Sequence, residues 1–181
     1  MRDARKLFRL FKSLNELQKI IELISKGSTD QIDLILSLLT RLGFFLYWVF
    51  DNIAILSTIK FIQAETKKMA KFGAFFWFWA LVFSIIQTIR KLIDNVKRIS
   101  IEEGDLSRVN NEQADKILNK IKKLKGERVS HILNLAKNLG DMITASQGSE
   151  IYPKLFKRNW SDGVIGAGGL TSAIITSYQL Y

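Results

Sequence analysis

Few side chains in this sequence could carry out a reaction. The 181 residues include no Cys and a single histidine, His131. That excludes disulfides, thiolate metal sites, a cysteine nucleophile and any multi-histidine metal centre. No nucleophile stands beside a base at a recognisable spacing, and no strand pattern leads into a glycine-rich phosphate loop. His131 lies alone beside an apolar stripe, the setting of a structural histidine. The sequence therefore reads as non-enzymatic, with no metal and no cofactor. What remains is the chemistry of surfaces. Twenty-seven Lys and Arg oppose 17 Asp and Glu, a net charge of +10. The positive residues are scattered beside long apolar stretches, where they answer anionic headgroups and set topology. They are not gathered on a nucleic-acid-binding module, so no nucleic-acid partner is expected.

The densest such arrangement opens the chain. Arg2, Arg5, Lys6, Arg9 and Lys12 crowd the first turns, while Leu7, Leu10, Phe11, Leu14, Leu17, Ile21 and Ile24 recur every three or four residues. That spacing predicts an amphipathic helix over about 4–25, its apolar side chains on one face. On a membrane, Leu7, Phe8, Leu10, Phe11 and Leu14 would insert while Arg5, Lys6, Arg9 and Lys12 hold headgroups. The same face could instead pack on a bundle, leaving the charges solvated. An Arg-rich, acid-poor start also suits a targeting segment, but the amphipathic pattern continues without a cleavage-like break. Gly27-Ser28-Thr29-Asp30 reads as a helix stop followed by a fresh N-cap.

The elements that would position this helix are membrane segments. Residues 72–89 are 18 positions without a charge, and residues 163–181 are another 19. About 18–20 helical residues, rising ~1.5 Å each, cross a ~30 Å hydrocarbon slab. Residues 31–59 form a further apolar stretch, crossing from about 42 or running on as one helix from 31. It is interrupted by Asp33, Arg41, Asp51 and Asn52. Polar groups are costly against lipid, so Arg41, Asp51 and Asn52 should face a partner helix, water or a helix end. They are also the sole candidate lining for a small-solute pore.

Half of the chain's aromatic residues fall in the windows 44–50 and 75–79. They suit headgroup-level belts, or packing between the two helices of a hairpin formed by 31–59 and 72–89. Residues 90–162 are polar and basic, with an acidic loop over 102–111. Helices over 112–125 and 129–146 are expected to rest on the membrane-proximal surface. In the last stretch, Gly166 and the i, i+4 series Gly169, Ala173 and Ser177 offer a small-residue face for close helix packing. With one Pro and few turn clusters, the chain reads as an all-α integral membrane protein with two to three membrane-embedded helices plus amphipathic surface helices. The charge balance between loops favours placing the N-terminus and 90–162 on one side, opposite the 60–71 link.

Several pieces, in order, resemble the peroxin-eleven family of peroxisomal membrane-shaping proteins. They are Ala4-Arg5-Lys6-Leu7-Phe8-Arg9-Leu10, then Tyr47-Trp48-Val49-Phe50-Asp51-Asn52-Ile53, then an aromatic span ending near Arg90-Lys91-Leu92. Leu139-Gly140-Asp141 follows, and the chain closes on Gly163-Val164-Ile165-Gly166-Ala167-Gly168-Gly169-Leu170-Thr171-Ser172. Together they cover nearly the whole chain. The resemblance implies one helical membrane unit over 1–181 that curves a leaflet through its first helix and promotes peroxisome elongation and division. Its expected partners are membrane lipids with anionic headgroups, and further copies of itself or a larger membrane complex. The family usually carries several tens of residues before the Ala-Arg-Lys stretch, and this chain starts almost on it. The alternative is therefore a shortened member reused as a structural subunit of an organellar assembly, for example in the mitochondrial inner membrane.

Overall fold

Asp30 starts the apolar hairpin. Its carboxylate accepts from the backbone N–H groups of Ile32 at 2.9 Å and Asp33 at 3.2 Å, satisfying two of the donors that a helix start leaves open. Arg90 holds the other oxygen at 3.1 Å, which ties this helix start to the next helix. The computed structural model describes residues 12–27, 30–107 and 111–180, and all its elements are helices: α1 (Lys12–Lys26), α2 (Gln31–Thr58), α3 (Thr66–Leu106), α4 (Asn111–Gly148), α5 (Ile151–Phe156) and α6 (Asp162–Leu180). Both α2 and α3 are long and apolar enough to cross a bilayer.

Among the described residues the extensive contacts run α1–α2, α2–α3, α3–α4 and α4–α6, with α5 against α4. Successive long helices are antiparallel, so the described residues form an open array in which each long helix packs mainly on its neighbours in the chain. Its accessible surface is 12482 Å², against about 9,000 Å² for a compact globular chain of this mass. Among the described residues, Leu81 is the one large side chain that is fully buried.

The seams between the helices are polar and aromatic. Gln87 on α3 donates to Asp33 Oδ1 at 2.9 Å and to Ser37 on α2. Asn138 on α4 donates to Ser84 on α3 at 2.9 Å, and Asn95 on α3 to the Leu124 carbonyl at 3.1 Å. The two aromatic windows meet across the hairpin: Tyr47 stacks on Trp77 at 5.3 Å and Phe50 on Phe76 at 5.5 Å. Phe75 and Trp79 point outward, as a belt would.

The array changes the reading of residues 90–162. α3 is 41 residues long, about 62 Å at ~1.5 Å per residue, twice the hydrocarbon slab. It therefore runs into the expected acidic loop, taking up its first half as far as Leu106. α4 is one helix where two were expected, and it turns back along the whole of α3. Its first half pairs with the projecting part of α3, Lys120 with Glu102 and Lys125 with Glu103. Its second half lies beside the uncharged window, and Gly148 reaches the level of Ala74. The amphipathic pattern through Ile132, Leu133, Ala136, Leu139, Met142 and Ile143 suggests a surface helix there. The expected sidedness also changes. α1 begins beside Trp48–Asn52, toward the 60–71 end of the hairpin, and Glu150 meets Lys71 at that same end.

α6 is seated on α4 by a crossing of two backbones. A Cβ at Gly140 would stand 2.6 Å from the Gly168 carbonyl oxygen, and one at Gly168 would stand 2.7 Å from the Gly140 oxygen. Only glycine permits that approach. Ser172 adds a hydroxyl bond to Asp141, and Gln179 donates to Asn134 at 3.2 Å.

Two predictions follow from these contacts. Gly140→Ala should force α6 off α4 at a cost of about 1–3 kcal/mol, read as faster proteolysis of α6 in micelles. Gly169→Ala, where a Cβ meets open space, should leave it intact. The second concerns pH. Asp30 is held below its ordinary 3.8 chiefly by the Asp33 N–H, and Glu150 below its ordinary 4.5 chiefly by the Lys71 ammonium. Because the fold binds their ionised forms, both ties are complete at neutral pH and are lost as pH falls through the lowered values. Tm should therefore decline as pH drops below about 4.5, and Glu150→Gln should flatten that slope.

Candidate membrane-contact site

Three kinds of side chain alternate around α1. Ser13, Glu16, Ile20 and Leu23 turn toward the array, with Ser13 and Glu16 buried. Leu14, Leu17, Ile21 and Ile24 turn away from it and are 54%, 39%, 55% and 64% exposed. Asn15, Gln18, Lys19 and Glu22 make up the remaining, polar face. At 100° per residue these three sets are separate stripes of one helix: one turned to the array, one apolar and exposed, one polar and exposed.

The protein-facing stripe is held by polar groups. Glu16 Oε2 accepts from the Arg41 guanidinium at 3.2 Å, and its Oε1 accepts from Lys19 at 2.7 Å. Asn52 Nδ2 donates to Ser13 Oγ at 3.4 Å. Lys12 Nζ stands 4.7 Å from the centre of the Trp48 ring, within cation–π range. Polar docking leaves the apolar stripe more than a third exposed at each of its four positions, Leu17 least and Ile24 most.

The predicted residues divide as follows. Arg5, Lys6, Leu7, Phe8, Arg9, Leu10 and Phe11 lie outside the described residues. Lys12 is described and sits over Trp48. Arg41 and Asn52 are both engaged by α1, through Glu16 and Ser13. Asp51 is half-buried beside them on α2. Gly166, Gly169, Ala173 and Ser177 face away from α4, and a Cβ at Gly166 or Gly169 would meet nothing within 4 Å. The face that packs is Ile165, Gly168, Ser172 and Ile175, one position round the helix. The i, i+4 count of small residues finds both faces, and only the position of Gly140 decides between them.

Ser13 and Glu16 were missed as docking residues. The available signal was Arg41, an isolated cation in an apolar helix that needs a counter-charge. Leu17, Ile21 and Ile24 were recognised as an apolar face, but their outward direction was not readable.

The whole chain, residues 1–181, matches the family model described as Peroxisomal biogenesis factor 11 (PEX11). It is 30% identical over 194 residues to the "Peroxisomal membrane protein 11 homolog" of Dictyostelium discoideum, covering 99% of this chain and 74% of that protein. Identity is 27% to "Peroxisomal membrane protein PMP30B" of Candida boidinii, over 95% of this chain and 70% of the relative. It is 28% to "Peroxisomal membrane protein 11B" of Arabidopsis thaliana, over 94% and 70%. No solved structure matches. A mitochondrial accessory subunit and a solute pore gain no support from these relatives.

The docking of α1 is open to a direct check, since the chain has no cysteine of its own. Ser13→Cys with Asn52→Cys should be bridged by a short bis-thiol-reactive crosslinker, since their side chains meet. Glu16→Ala should lower the crosslinking yield by weakening docking about 1–2 kcal/mol, less than for a fully buried pair because Arg41 reaches solvent. An array whose helices turn apolar side chains outward, and whose relatives are peroxisomal membrane proteins, is itself a peroxisomal membrane protein, and the chain belongs to the peroxisomal biogenesis factor 11 family.

Proposed function

We propose that this chain bends and elongates the peroxisomal membrane by seating the apolar stripe of α1 in one leaflet, without catalysing a reaction. The observation that carries the reading is the exposed stripe Leu14, Leu17, Ile21 and Ile24 on a helix whose adjoining stripe is tied to α2. A free amphipathic helix binds a surface reversibly. One fastened to a membrane-spanning hairpin stays at a fixed position and adds its cross-section to one leaflet, so area becomes unequal across the bilayer and the sheet curves. Asn15, Gln18, Lys19 and Glu22 are positioned to remain at the wet edge of that wedge. Arg5, Lys6, Arg9 and Lys12 carry the headgroup contacts in this proposal, drawing the helix to anionic lipid.

The full chain reconstituted into anionic vesicles should draw them into tubules. Leu17→Glu with Ile21→Glu places charge where the wedge needs hydrocarbon, at up to about 2.5–3.5 kcal/mol per residue. Tubulation should then be lost while helix content and the Ser13–Asn52 crosslink persist. Tubulation at the wild-type level by that variant would contradict the proposal.

A further inference from the structure

A second lipid-facing feature lies at the opposite edge of the array, beyond the reach of α1. Two non-glycine residues with left-handed backbones, Glu150 (φ 61°) and Lys157 (φ 53°), bracket α5. Such conformations are uncommon and persist where the surroundings fix them. They fold α5 back over the end of α4. Tyr152 then stacks on Trp160 with ring centres 4.0 Å apart, and Trp160 Nε1 donates to Ser146 Oγ at 3.2 Å. Between this aromatic wall and helices α3 and α4 opens a cleft of about 480 Å³, lined by Phe78, Leu139, Met142, Ile143, Leu155 and Phe156.

Cations flank the lining pair Leu155 and Phe156 along the chain: Lys154 precedes it, Lys157 and Arg158 follow it, and all three are exposed. Glu150, the acid at the start of α5, is bound by Lys71. The depth suits a lipid: Lys71 stands at the edge of the uncharged window, and Phe78 lies about 10 Å further along α3 at ~1.5 Å per residue. We propose that this cleft holds one anionic glycerophospholipid of the surrounding membrane, an acyl chain between α4 and α5 and its phosphate among Lys154, Lys157 and Arg158. Charge selects this occupant over a second copy of the chain, which would bring a net +10 to these cations.

The test uses the full chain, stripped of lipid in mild detergent and offered phosphatidic acid or phosphatidylcholine with matched acyl chains. Native mass spectrometry counts what stays bound. One phosphatidic acid should be retained per chain, about tenfold over phosphatidylcholine, as expected when several cations meet one phosphate. Leu139→Trp, which fills the cleft from a half-exposed position, should lower that occupancy. So should the combined Lys154→Glu, Lys157→Glu and Arg158→Glu variant, with helical circular dichroism unchanged in both. Leu17→Glu with Ile21→Glu should keep the lipid, which separates this site from the action of α1. Equal retention of the two lipids, or occupancy insensitive to Leu139→Trp, would mean general bilayer or surface-charge contact and would overturn the proposal. Dimerisation that Leu139→Trp abolishes while lipid occupancy stays unchanged would overturn it as well.

Discussion

Hydrocarbon has to supply the second side of nearly every helix in this array, because among the described residues no long helix packs extensively on more than two long neighbours. Large apolar side chains such as Trp79, Ile86, Leu170 and Ile174 remain exposed, while Ser13, Glu16, Thr40, Asn95, Asn138 and Ser172 are buried. In water that distribution would be inverted and would not hold together. In lipid it is the stable one, since apolar surface gains nothing by leaving hydrocarbon and polar groups gain by finding each other. The hydrogen bonds of Gln87, Asn138 and Asn95 and the Gly140–Gly168 crossing therefore determine which helices are neighbours. Burial of apolar area does not.

The same constraint shapes α1. A helix of 15 residues is too short to cross the slab and too polar on two of its three stripes to sink into it. Its attachment through Glu16 and Ser13 fixes its rotation about its own axis, and rotation decides whether Leu17 and Ile21 meet lipid or protein. An ion pair that is unremarkable in energy thus sets the direction of a whole apolar face. The Asp30 cap and its bond to Arg90 act in the same way one turn further on, holding the start of α2 against α3 immediately after the α1–α2 link.

Much of this was legible in the sequence, for identifiable reasons. The uncharged run 72–89, the amphipathic spacing of Leu14 through Ile24 and the Asp30 cap are local patterns, and local patterns survive in any all-α membrane protein. The ordered family-like pieces, from Ala4-Arg5-Lys6 to the closing glycines, were enough to identify the family. Facts that depend on a distant partner could not be read. The second half of α4 looks like a surface helix by its amphipathic spacing, because nothing local shows that Ser172 lies opposite Asp141. Gly169, Ala173 and Ser177 satisfy the small-residue spacing as well as Gly168 and Ser172 do, and only the distant Gly140 distinguishes them. Arg41 announced the need for a counter-charge without saying that Glu16 would supply it.

The central claim is the rotational setting of α1: polar stripe on α2, apolar stripe in lipid. Because the native sequence has no cysteine, single cysteines can be placed at each position from 13 to 24, spin-labelled in bilayers, and tested for collision with oxygen, which dissolves in hydrocarbon, or with a water-soluble nickel chelate. Labels at Leu14, Leu17, Ile21 and Ile24 should favour oxygen, and those at Asn15, Gln18 and Glu22 the chelate, with Ser13 and Glu16 protected from both. A pattern in which the Leu14–Ile24 stripe is protected and Ser13 and Glu16 meet oxygen or the chelate would contradict the account, since the apolar face would then be spent on protein.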